Sequence, residues 1–172
     1  MIFHNHKVQF IGIPKAGSYS VWESLYDENL PQDGKYNTHD HWKLQDVRSP
    51  YPTYCVIRNP WDRAVSGWNM MPGRGDLYDK LKSVLLKIYN KSQYEFVFHP
   101  QVDFISIDGE IRVDHILKFE NLQNDWNKHF NVPLKHSNKT HDKIHVEIDD
   151  KTDELIRLIY RKDIELWNSL KN

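Results

Sequence analysis

The chain has 172 residues, enough for one compact domain with a buried core, and its 23 basic and 24 acidic side chains leave a net charge of −1. That balance argues against a general nucleic-acid or polyanion binder, which carries a large basic excess. Cys55 is the only cysteine, which excludes an intrachain disulfide and a zinc-ribbon scaffold, and no apolar run is long enough to span a bilayer. The expectation is a soluble cytoplasmic protein with no membrane or nucleic-acid partner.

The first ten residues, MIFHNHKVQF, lack the basic region and long apolar run of a signal peptide. KVQFIGI (7–13) alternates and then turns apolar, as a buried strand does, and ends before Pro14. A helix is predicted from about Ser18 to Tyr26. Residues 31–52, rich in Pro, Asp, Gly, Asn and His, read as a loop region with room for one short strand. TYCVIR (53–58) is a second buried strand, with Cys55 as a small core hydrophobe.

Asn59-Pro60 then supplies an N-cap and a proline at the first helical position. The helix behind it carries Trp61, Val65 and Trp68 at a spacing that directs this stripe to the core. Leu77, Leu81, Val84, Leu85 and Ile88 mark another amphipathic helix. FISIDGEIRV (104–113) reads as a hairpin turning at Asp108-Gly109. HILKF (115–119) is a third core strand, followed by a helix through Leu122, Trp126 and Phe130. A last helix over about 151–170 stacks Ile156, Tyr160, Ile164 and Trp167. With no repeat, low-complexity tract or linker, residues 1–172 read as a single α/β domain: a central, mainly parallel sheet flanked by helices, plus a small hairpin.

In such a sheet, ligands bind beyond the carboxyl ends of the strands. Two of those ends carry unusual chemistry. FIGIPKAGSYSVW (10–22) places Lys15 before Gly17, the reverse of a G-x-x-x-x-G-K-[ST] phosphate loop. Gly17 lets backbone N–H groups approach an anion, the helix N-terminus adds favourable partial charge, Lys15 adds a full charge and Ser20 a hydroxyl. The competing reading is that Ser20 and Glu23 form a capping box. In VIRNPWDRAVSGW (56–68), Arg58 leaves the strand end, where its planar fork can grip a phosphate. Ser66 falls with Asp62 and Arg63 on the helical wheel, away from the tryptophan stripe, and can point back toward the same phosphate. Arg63 reads as a structural ion-pair residue.

Together these segments resemble the sulfotransferase family that uses 3′-phosphoadenosine 5′-phosphosulfate (PAPS), in its carbohydrate-sulfotransferase-like branch. PKAGSYSV is similar to the 5′-phosphosulfate loop, commonly PKTGGTSL, and VIRNPWDRAVSGW to the 3′-phosphate motif R-[DN]-P-x-x-R-x-x-S. HPQVDFI, ILKFENLQNDW and IYRKDIELW follow the branch in order and spacing, so the likeness runs from about residue 8 to 167.

The resemblance implies a P-loop-like three-layer fold and PAPS as cosubstrate, with no metal required. It assigns Lys15, Ala16, Gly17, Ser18, Tyr19 and Ser20 to the 5′-phosphosulfate, and Arg58 and Ser66 to the 3′-phosphate. Ala16 stands where the family often has Thr, and Ser18-Tyr19 replaces Gly-Thr, which removes hydroxyl donors. SNKTHDK (137–143) matches a loop that covers the nucleotide, with Lys139 and Thr140 as its contacts.

The implied reaction is sulfuryl transfer to a hydroxyl, of a carbohydrate or another small molecule. Lys15 steadies the leaving oxygen and a histidine takes the proton. The branch often has a histidine between its two anion motifs, which makes His39 the first candidate and His41 the second. His39 with His41, and His141 with His145, could also pair on a metal, but neither pair brings a third ligand at a suitable spacing. His4, His6, His129 and His136 read as surface histidines, and Glu120 as a loop organiser. Trp42, Tyr78, Tyr94 and Phe96 could stack on sugars, core packing being the competing reading. Two other functions stay open: a small nucleotide kinase, disfavoured by the lysine order and the missing K-[ST] ending, and a nucleotide-binding module without catalysis.

Overall fold

The computed structural model describes residues 1–26, 43–46, 49–71, 75–86, 95–136, 144 and 146–170. His39, His41, Lys139, Thr140, His141 and His145 lie outside the described residues, as do Trp42, Ile88 and Tyr94.

In chain order the elements are β1 (Ile2–Phe3), β2 (Val8–Ile11), α1 (Ser18–Leu25), β3 (Thr53–Ile57), α2 (Pro60–Met70), α3 (Leu77–Leu85) and α4 (Val102–Ile105). They continue with β4 (Ser106–Ile107), β5 (Glu110–Ile111), β6 (His115–Lys118), α5 (Leu122–His129), α6 (Asp150–Ile159) and α7 (Arg161–Ser169). A four-stranded sheet runs in the order β1-β2-β3-β6. The β2, β3 and β6 strands are parallel, with Phe10 beside Tyr54 and Ile57 beside Lys118, whereas β1 pairs antiparallel with β2.

All four β2 residues are buried, Gln9 included. Successive strand side chains point to opposite faces, so both faces of the sheet are covered. That is why TYCVI in β3 reads as a largely apolar run. Cys55 is fully buried, and burial pushes its thiol pKa well up.

The caps follow the sequence. Asn59 Oδ1 accepts the N–H groups of Trp61 and Asp62, with Pro60 opening α2. The hairpin turns through Asp108 and Gly109, both at positive φ (52° and 81°), as a two-residue turn of this hand requires. It is shorter than its sequence suggests, because Phe104 and Ile105 end α4.

Leu44–Asp46 is a 3₁₀ turn, and most of residues 31–52, where one short strand had room, lies outside the described residues. Two other readings need correction. On α2 the fully buried face carries Arg63, Ala64 and Gly67. Trp61, Val65 and Trp68 are half-buried on its flank, against a cluster formed by α3, α6 and residues 97–98. The terminal helix is two helices, broken at Tyr160 (φ −104°, ψ 23°). No Pro or Gly causes the break. It lets the buried Tyr160 hydroxyl donate to Phe98 O at 2.7 Å, and it aims Asp163 at the start of α4.

Each parallel strand leads into a helix at its C-terminal end, β6 by way of a 3₁₀ turn at Phe119–Asn121. Three chain exits therefore share one edge of the sheet. No helix among the described residues is long and apolar enough to cross a membrane.

Candidate anion-binding site

Past the end of β2 the chain turns at Ile13–Ala16, where the Ala16 N–H donates to Ile13 O at 3.3 Å. Lys15 sits inside this turn at φ 65°. A left-handed conformation costs a non-glycine residue about 1–2 kcal/mol, and such strain collects at functional positions. Gly17 follows at φ 80° as the N-cap of α1 and supplies no side chain to the first helical turn. A Cβ on Gly17 would also meet the Phe119 ring at 3.1 and 3.2 Å. Conformation and space both favour glycine there.

Because Gly17 is the N-cap, Ser20 lies within the first turn of α1 and does not begin it, which overturns the capping-box reading. Ser18 is buried, and Tyr19 leans on Trp22 with ring centroids 5.5 Å apart. Ala16 is buried in the sheet core, so it has only its backbone to offer a ligand.

Arg58 leaves the end of β3. Its backbone is fixed by Gln101, whose Oε1 accepts the Arg58 N–H at 2.9 Å and whose Nε2 donates to Arg58 O at 2.8 Å. The guanidinium lies over the Phe119 ring, 4.5 Å from its centroid, and Nη1 donates to Lys15 O at 3.2 Å. The two cationic residues thus belong to one local structure. Burial works against the Arg58 charge and lowers its pKa, while Asp62 and Glu120 favour the charged form. Arg58 Nε is buried with no hydrogen-bond partner.

Ser66 stands half-buried on α2, and no hydrogen bond joins it to Arg58. Glu120 organises the loop, as its sequence position suggested. Its Oε1 accepts the Asn59 N–H at 2.7 Å and its Oε2 the Trp167 indole N–H at 3.0 Å.

Beneath these side chains runs a buried polar web. Arg63, 1% exposed, donates through Nε to Pro14 O at 3.0 Å and through Nη2 to Val97 O at 2.9 Å and His99 O at 2.8 Å. Its role is structural, as expected, but it works through three carbonyls. Asp163 accepts the N–H groups of Gln101 and Val102 at 2.7 and 2.9 Å. Burial raises the Asp163 pKa and lowers that of Arg63, and each charge opposes the shift of the other.

Four residues of this site lacked a role in the sequence reading: Phe119 as a platform, Gln101 and Asp163 as braces, and His99 beside them. The HPQ triplet at 99–101 was the available signal. Chemically, a lysine, an arginine fork and the start of a helix at one sheet edge suit a ligand with separated anionic groups. Comparison of the chain with protein-family models, curated proteins and solved structures found no match.

Proposed function

We propose that the protein is a P-loop-like sulfotransferase that moves the sulfuryl group of PAPS to a hydroxyl acceptor, in the first instance of a carbohydrate. The observation that carries this reading is the hydrogen bond from Arg58 Nη1 to Lys15 O, which joins the two anion motifs at adjacent strand ends. A second support is the buried Arg58 Nε without an acceptor, since unsatisfied buried donors are rare where no ligand or function accounts for them.

In this reading the turn at Lys15–Ser20 receives the 5′-phosphosulfate, and Arg58, aided by Ser66, receives the 3′-phosphate. Lys139 and Thr140 are assigned to the nucleotide's cover. As the acceptor oxygen approaches sulfur in line with the bridging oxygen, negative charge grows on that bridge. Lys15 meets it with a charge-assisted hydrogen bond, placed before the reaction begins. The hydroxyl proton passes to a histidine, for which the sequence offers His39 and His41.

Incubation with sulfur-labelled PAPS and a panel of glycans tests the proposal. The expected result is label in an acceptor together with release of adenosine 3′,5′-bisphosphate. Absence of binding to either nucleotide at about millimolar concentration would overturn it.

A further inference from the structure

Resting on the transferase reading above, the geometry points to His99 as the histidine that receives the acceptor proton. The placement follows from the strand directions. His4 and His6 lie in the turn before β2, and His4 Nδ1 is 2.9 Å from the Tyr51 hydroxyl. His115 begins β6, stacked 4.4 Å from the Tyr54 ring, with His129 at 5.1 Å from His115. All four stand at the N-terminal ends of the parallel strands, opposite the candidate site. His99 belongs to the other edge.

Two braces hold it there. The Arg63 guanidinium, itself buried, clamps His99 O with Nη2 and Pro14 O with Nε. Pro14 directly precedes Lys15, so one rigid planar group spans from the lysine turn to His99. On the other side, Gln101 stands two residues from His99 and is doubly bonded to the Arg58 backbone. The His99 backbone is therefore tied to the segments that carry both anion motifs, and its side chain is half-buried.

Among the described residues, the charged groups that act on it are Lys43, Arg63 and Asp103. Burial first, then Lys43 and Arg63, lower the His99 pKa, and Asp103 pulls the other way. These influences together favour the neutral ring, the form that accepts a proton. As the acceptor O–S bond forms, the bond from sulfur to the bridging oxygen breaks. Its electron pair leaves on the 5′-phosphate of adenosine 3′,5′-bisphosphate, and the acceptor's proton goes to an imidazole nitrogen of His99.

Water serves as the acceptor in a test that needs no identified substrate: release of labelled sulfate from PAPS by the full chain, followed across pH. Turnover by the unaltered protein is expected to fall on the acid side, below the ordinary histidine range. His99→Gln is expected to lose about 100- to 10,000-fold in kcat and to lose that acid limb. Its affinity for adenosine 3′,5′-bisphosphate should stay close to that of the unaltered protein, and added imidazole should restore part of the turnover of His99→Ala. Where His99→Ala does not fold, the glutamine variant carries the test alone. A His99→Gln protein that keeps both kcat and the acid limb overturns the role of His99 while nucleotide binding leaves the transferase reading standing. A natural chain that binds no bisphosphate, or releases no sulfate above buffer, overturns this role; the lack of binding overturns the transferase reading too.

Discussion

Replacing Arg63 with methionine is expected to lower the unfolding free energy by about 3–5 kcal/mol, measured by urea denaturation with a fluorescence readout. Methionine fills much of the volume but donates nothing. Pro14 O, Val97 O and His99 O would each lose a donor inside the protein. An orphaned buried acceptor alone costs about 1–3 kcal/mol. The buried Asp163 would also lose the positive charge that opposes its upward pKa shift. Against a total stability of about 5–15 kcal/mol for a domain, such a loss brings the chain close to unfolding at 37 °C. A loss below about 1 kcal/mol would show that these carbonyls find other donors and that the web does not support the site.

Lys15→Asn is expected to leave the fold intact and to reduce turnover with PAPS by about 100- to 1,000-fold, the range seen when one oxyanion donor is removed. Asparagine is chosen because it tolerates the left-handed conformation that Lys15 adopts at φ 65°. The exchange removes the ammonium group without adding backbone strain. Under the proposed mechanism, the lost interaction strengthens as charge develops on the bridging oxygen, so kcat falls more than nucleotide affinity. A thermal melt at the natural temperature combined with unchanged kcat would remove Lys15 from the chemistry. Equal losses in kcat and in bisphosphate affinity would instead confine it to ground-state binding.

The same residues show what a sequence discloses. β2, β3 and β6 were legible because short stretches rich in apolar and β-forming residues end at Pro14, Asn59-Pro60 and the loop at Glu120-Asn121, and the start of α2 because Asn59-Pro60 is a local cap signal. The meeting of Lys15 and Arg58 was legible too, since adjacent parallel strands deliver their C-terminal residues to one edge. β1 was not seen, because two residues are too few to show a period. Nor was the break at Tyr160, which has no glycine or proline to mark it and depends on a bond to Phe98, 62 residues away.

Distance along the chain hid the supports of the site in the same way. Arg63 reaches carbonyls at separations of 34, 36 and 49 residues, and Asp163 reaches Gln101 across 62. A carbonyl acceptor leaves no trace in residue identity, so no spacing rule points to it. Phe119 is a related case. Only the packed structure brings its ring against both Gly17 and the Arg58 guanidinium.

The central claim is that Lys15 and Arg58 grip opposite ends of one nucleotide, and calorimetric titration of adenosine 3′,5′-bisphosphate against adenosine 5′-monophosphate tests it most directly. The two ligands differ only in the 3′-phosphate assigned to Arg58. The natural chain is expected to prefer the bisphosphate by about 10- to 100-fold, equivalent to a charge-assisted contact of about 1.5–3 kcal/mol, and Arg58→Ala is expected to bind both alike. Equal affinities in the natural chain, or an undiminished preference in Arg58→Ala, would contradict the account.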